Sequence, residues 1–193
     1  MSAMEIGVLA LQGDFREHRA MLERLGMVVR EVRLPHHLHG LAGVVIPGGE
    51  STTMMKLMKA YELDIALEDF RRQGGALWGT CAGAIVIASE ISGFPKQSRL
   101  AFLDVTVARN DYGRQVASFE AELAIEVLGD PFHAVFIRAP RITEIGDTVT
   151  VLGCLAGDPV MVRQEKLLAT VFHPELTGDD RIHRYFLEEI CTA

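Results

Sequence analysis

The chain has 193 residues, 49% of them hydrophobic and 23% charged, with a net charge of −7. That length can bury a core without disulfides or metals and is expected to form one domain, 1–193, while no apolar run is long enough to span a membrane. The acidic balance argues against a nucleic-acid partner, because binding to a phosphate backbone depends on clustered Lys and Arg.

Three cysteines, Cys81, Cys154 and Cys191, are an odd number with no close pair, so reduced thiols are expected rather than a disulfide framework. Met1 to Glu5 lacks the basic region and long apolar stretch of a secretory signal, and a cytoplasmic location is the expectation.

The first apolar run, Glu5 to Leu11, closes on Gln12-Gly13-Asp14, and Phe15 to Leu25 then places apolar residues at helical spacing. Strand, loop and helix follow from that pattern, with Gly26 capping the helix. Met27 to Val32 and Leu41 to Ile46 read as strands, the second ending at Pro47-Gly48-Gly49. Between them, Pro35-His36-His37-Leu38-His39 lacks the i, i+4 spacing and nearby carboxylates of a metal site and reads as a solvated loop. Ser51 or Thr52 can cap a helix through Met54, Met55 and Met58, which read as core, and Asp64 to Arg72 forms another helix. The alternation predicts a parallel, doubly wound α/β unit.

Leu77-Trp78-Gly79-Thr80-Cys81-Ala82-Gly83-Ala84 reads as strand, sharp turn and helix. A nucleophile on such a turn stands above the carboxyl edge of a sheet, and the amino end of the next helix favours its thiolate. Beyond it, Leu103–Ala108, Phe119–Ile125, Ala134–Ile137, Thr148–Leu155 and Val160–Arg163 are short strand-like runs for which antiparallel pairing is expected. Leu167 to Phe172 looks like a returning core strand, and Asp179 or Asp180 can cap a last helix with Tyr185, Phe186 and Ile190 inward. Cys154 and Cys191 read as packing residues.

Two further motifs end strands at the edge where Cys81 is expected. In extended backbone, residues two apart share a side, so His173 and Glu175 of Phe172-His173-Pro174-Glu175 can project together as a base and its orienting carboxylate. Pro47-Gly48-Gly49-Glu50-Ser51 leaves backbone N–H groups free to form half of an oxyanion hole, the N–H of Ala82 being the other half. No Gly-Lys-Ser/Thr closes that loop, so it is not a phosphate-binding P-loop.

In this order the three motifs resemble the class I (triad) glutamine amidotransferases. Gly7 to Asp14, Pro47 to Thr52, Gly79 to Gly83, Arg109-Asn110, Gly113-Arg114-Gln115, Ser118-Phe119-Glu120, Phe136 to Pro140 and Phe172 to Thr177 narrow the likeness. Over nearly the whole chain it resembles the glutaminase subunits of pyridoxal 5′-phosphate synthase, with Asp111-Tyr112 a local departure.

The resemblance implies a three-layer fold whose mostly parallel central sheet is flanked by helices, with additional antiparallel strands in the second half. It implies hydrolysis of L-glutamine through a thioester on Cys81, with His173 and Glu175 completing the triad and no metal or other cofactor. Ammonia would pass to a synthase subunit that builds pyridoxal phosphate from a pentose phosphate and a triose phosphate. Gly49, Glu50, Ser51, Arg109, Ile137 and Arg138 match glutamine-binding positions, and Gln12 is placed to order the oxyanion loop. The competing readings are the glutaminase subunit of another pathway, such as imidazole glycerol phosphate synthase, and a non-catalytic regulatory module on the same fold.

Overall fold

In the computed structural model the described residues are 4–109, 118–129 and 131–193. The elements run β1 (Glu5–Leu9), α1 (Phe15–Arg24), β2 (Val28–Val32), β3 (Gly43–Ile46), α2 (Ser51–Ala60), α3 (Leu63–Arg72), β4 (Ala76–Thr80) and α4 (Ala82–Ile87). They continue with β5 (Ala88–Ser92), β6 (Leu103–Ala108), β7 (Ser118–Leu123), β8 (Phe132–Ile137), β9 (Arg141–Ile145), β10 (Thr150–Leu155), β11 (Asp158–Gln164), β12 (Leu167–Thr170) and α5 (Arg181–Tyr185).

A seven-stranded sheet has the order β10-β11-β12-β4-β3-β1-β2. From β2 to β12 its neighbours are parallel, and β11 and β10 extend it antiparallel. The central strands β3, β4 and β12 are buried along their whole length, as continuous apolar runs covered on both faces must be. Because β3, β4 and β12 are parallel, their carboxyl ends open on one edge, and the Gly48-Gly49 loop, Cys81 and His173 all follow those ends.

The second half departs in part from the antiparallel expectation. The short helix α4 gives way to β5, a strand absent from the sequence reading, and β5 pairs parallel with β6 in a three-stranded sheet β5-β6-β9. β7 and β8 form an antiparallel pair as expected.

Gly26, with φ +79, follows α1 and donates its N–H to Glu23 O at 3.0 Å. Capping of α2 differs from the expectation: neither Ser51 nor Thr52 caps it, because Glu50 folds back and its carboxylate accepts the N–H groups of Thr52 (3.1 Å) and Thr53 (2.7 Å). A negative carboxylate at a helix start also meets the positive end of the helix dipole. Asp180 stands at the start of α5 without a side-chain cap bond, while Asp179 Oδ1 accepts the N–H of Arg181 at 3.0 Å. The last helix then widens to π geometry over Phe186–Ile190, its Tyr185, Phe186 and Ile190 facing inward.

Met54, Met55 and Met58 are core residues. Cys154 is not a packing residue: it is exposed on the edge strand β10, whereas Cys191 is half-buried with its Sγ against Gly43. His36 and His37 sit in a 3₁₀ turn, and with His39 they make no convergent ligand set among the described residues. No helix among the described residues is long and apolar enough to cross a membrane.

Candidate active site

Cys81 follows β4 with φ 49° and ψ −105°, a backbone conformation that a side-chain-bearing residue occupies only when its surroundings enforce it. Its N–H is held by Thr170 O at 2.8 Å, tying the turn to the end of β12. The flanking glycines are required sterically. A Cβ on Gly79 would stand 2.5 Å from Gly83 O, and one on Gly83 would run into Ile46 O of β3. Close packing of α4 on β3 and β4 thus sets the position of Cys81, which is buried with its Sγ 3.7 Å from Ile137 O. Ala82, as the first residue of α4, carries an N–H that a helix start leaves without an intrahelical acceptor.

His173 and Glu175 are brought together by a turn, not by strand alternation. β12 stops at Thr170, His173 is held by its N–H to Val135 O at 2.8 Å, and Pro174–Leu176 is a 3₁₀ turn that folds Glu175 back. Glu175 Oε1 lies 2.7 Å from His173 Nδ1, and both side chains are buried. Asp14 Oδ2 lies 3.6 Å from the same nitrogen, a second carboxylate that the sequence reading passed over. Although burial opposes it, hydrogen bonds with Cys81 and Glu175 push the His173 imidazole up to about 10. Burial raises the Glu175 carboxyl while the hydrogen bond from His173 works against that rise.

The Gly48-Gly49 loop packs over this pair. Asp14 N–H donates to Gly48 O (3.1 Å), and Glu50 N–H donates to Gln12 Oε1 (2.8 Å), which ties the loop to the turn after β1. A Cβ on Gly48 would meet His173 Cε1 at 2.5 Å. Gly49 has φ +150 and would drive a Cβ to 2.6 Å from Gln12 Oε1.

A cleft of about 320 Å³ joins these parts, lined by Asp14, Gly49, Glu50, Ser51, Cys81 and Ala82 on one side. Ile85, Arg109, Ile137, Arg138 and His173 complete it. Arg109 lies 3.6 Å from Glu50 Oε1, donates to Gln97 Oε1 and sits 5.2 Å from the Phe94 ring centre. Gln97 in turn donates to Ser51 Oγ at 3.0 Å. Gln97 and Phe94 carry no local sequence signal, since a loop between β5 and β6 delivers them. Asn110, Gly113, Arg114 and Gln115 lie outside the described residues.

A larger cavity, about 610 Å³, lies at the other end of the sheet beside Ala42 and Gly75 and borders Cys191, whose thiol is pushed up to about 12 by burial. Burial keeps that thiol from ionising, so the smaller cleft is the site with chemistry.

A cysteine elbow and a histidine–glutamate pair at the carboxyl edge of this sheet define the architecture of the class I glutamine amidotransferases. A solved glutamine amidotransferase superposes with a TM-score of 0.93 at 53% identity, over 97% of this chain and 99% of that one. A glutamine amidotransferase from Thermotoga maritima shares the fold at 13% identity, with a TM-score of 0.64 over 97% of this chain and 84% of that one. Residues 8–192 match the SNO glutamine amidotransferase family, and the chain belongs to that family. It is 56% identical over 188 residues to the pyridoxal 5′-phosphate synthase subunit PdxT of Deinococcus radiodurans, covering 95% of this chain and 96% of that protein. The PdxT subunit of Thermus thermophilus is likewise 56% identical over 184 residues, with 95% and 96% covered.

Proposed function

We propose that this chain is a single glutaminase domain that hydrolyses L-glutamine to L-glutamate and ammonia, and that it works as a subunit of pyridoxal 5′-phosphate synthase in the cytoplasm. The observation that carries the chemistry is the convergence of Cys81, His173 and Glu175 in one small cleft.

In the proposed cycle the proton of the Cys81–His173 pair lies on His173, whose raised value favours the imidazolium, and Sγ attacks the side-chain amide carbon of glutamine. The amide oxygen becomes an oxyanion, received by the N–H of Ala82 at the start of α4 and by the N–H of Gly49 in the loop that Gly48 allows to lie against His173. As the tetrahedral species collapses, the C–N bond breaks and His173 gives its proton to the leaving nitrogen, so ammonia departs and a γ-glutamyl thioester remains on Cys81. Water then attacks the thioester with His173 as base, releasing glutamate and leaving the proton of the pair on His173. Glu175 holds the imidazole in the tautomer that presents Nε2 to the sulfur.

The rest of the cleft suits an amino acid. Arg109 and Arg138 offer cationic partners for the α-carboxylate, while the Glu50 carboxylate and the Ile137 carbonyl suit the α-ammonium, with Ser51 a further hydrogen-bonding group. The PdxT names of the relatives support a synthase subunit as partner and as consumer of the ammonia.

Glutamate release from L-glutamine, measured with and without a purified pyridoxal 5′-phosphate synthase partner subunit, tests the reading. Activity is expected to be weak for the isolated chain and to rise on adding the partner. Equal turnover in both, or stimulation only by the synthase subunit of another pathway, would overturn it.

A further inference from the structure

His18 has no place in the sequence reading, yet it is fully buried on the inner face of α1. A buried imidazole must find partners for two nitrogens. His18 Nδ1 lies 3.0 Å from His183 Nε2 on α5, and His18 Nε2 lies 3.1 Å from Thr80 Oγ1 and 3.3 Å from Glu175 Oε2. Glu175 Oε1 faces His173, while Oε2 is buried and makes no hydrogen bond; His18 Nε2, 3.3 Å away, is the nitrogen presented to it.

Two tautomers of His18 are possible in this setting. With the proton on Nδ1, His18 donates to His183, leaving His183 Nδ1–H as a buried donor without an acceptor and aiming the Nε2 lone pair at a carboxylate. With the proton on Nε2, His183 donates to His18 Nδ1, and the His18 N–H faces Thr80 and Glu175. The second arrangement removes the lone-pair repulsion and turns the orphaned donor into an unpaired acceptor, since His183 Nδ1 has no partner in either. Burial, with His183 and His173 nearby, pushes His18 well below its ordinary value, and burial pushes His183 down to about 3. Both rings are therefore neutral near pH 7.

The geometry points to His18 as a positioning residue: held as the Nε2–H tautomer by His183, it bonds Thr80 Oγ1 through that hydrogen, and the same N–H edge, 3.3 Å from Glu175 Oε2, attracts that oxygen electrostatically and so keeps Oε1 turned to His173. The inference rests on the proposed roles of His173 and Glu175. It makes α1 a strut for both halves of the site, since the loop before α1 also carries Gln12 and Asp14, which hold the Gly48-Gly49 loop.

The test uses the reconstituted complex with the synthase subunit and the variants His18→Leu and His18→Gln. His18→Leu is expected to lower kcat about 10- to 100-fold with KM nearly unchanged, by analogy with metal sites, where losing the outer partner of a functional side chain costs that much. His18→Gln, whose amide nitrogen reaches the place of Nε2, is expected to recover most of that loss. Unchanged kcat in His18→Leu, or loss without recovery in His18→Gln, would overturn the inference. A wild-type complex without glutaminase activity would sink the functional reading instead. Ring-nitrogen NMR shifts of the wild-type chain decide independently of activity and of variant folding: a neutral Nε2–H His18 is expected, and Nδ1–H would contradict the assignment.

Discussion

At the residue scale, Cys81 and Arg138 both line the cleft with positive φ, 49° and 45°. Such strain persists where surrounding packing enforces it, and here it lifts a thiol to the sheet edge beside His173. Glu175→Gln keeps the shape but offers an amide to His173 Nδ1, so the imidazole can settle in the wrong tautomer; kcat should fall about ten-thousandfold, as when an orienting carboxylate is replaced in other triads. Steady-state kinetics with the partner checks this. Titration of His173 also enters stability. Its folded value is raised to about 10 from an ordinary 6.5, so the stabilisation is complete below about 6.5 and is lost as pH rises through about 10. The wild-type advantage in melting temperature over His173→Asn should therefore shrink between pH 7 and pH 10, and an advantage that grows over that range would contradict the assignment.

At the element scale, the amino end of α2 depends on Glu50. Although burial opposes it, hydrogen bonds from the Thr53 hydroxyl and N–H and from the Thr52 N–H hold its carboxyl down at about 2. Glu50→Ala should cost about 1 kcal/mol, a usual figure for losing an N-cap. Because the folded value is depressed, that stabilisation is present above about 4.5 and is lost as pH falls through about 2, which melts of both proteins from pH 7 to pH 2 would show. Gly83→Ala should cost about 1–3 kcal/mol of overpacking and shift α4, and with it Ala82, away from β3. Denaturant unfolding and glutaminase assays together would show both losses. These element-scale features were the less legible ones. A serine or threonine is the commoner cap, so the sequence pointed to Ser51 or Thr52, and only the fold-back of a longer side chain selects Glu50. The short α4 hid β5, because Ala82 to Ile91 is apolar enough to suit a longer helix as well as a helix followed by a strand.

On the scale of the whole molecule, the parallel core and the strand-end placement of the motifs were legible because both are local patterns: apolar runs stopping at Gly48-Gly49, at Cys81 and just before His173. What joins α1 to the site was not. His18 and His183 stand far apart in sequence, and no local pattern tells a buried imidazole pair from polar residues on two amphipathic helices. The His173 and Glu175 pairing was legible, but its cause was different, since a 3₁₀ turn rather than strand alternation sets their 2.7 Å contact. The cleft is thus held by long-range ties, among them those from Thr170 to Cys81, from Val135 to His173, from Gln12 to Glu50 and from Asp14 to Gly48. The most direct measurement of the central claim is to quench the complex during turnover of L-glutamine at acid pH and to map the acyl adduct by peptide mass spectrometry. A γ-glutamyl thioester on the peptide containing Cys81, absent from Cys81→Ala, is the expected result; turnover that persists in Cys81→Ala, or an adduct on Cys154 or Cys191 instead, would contradict it.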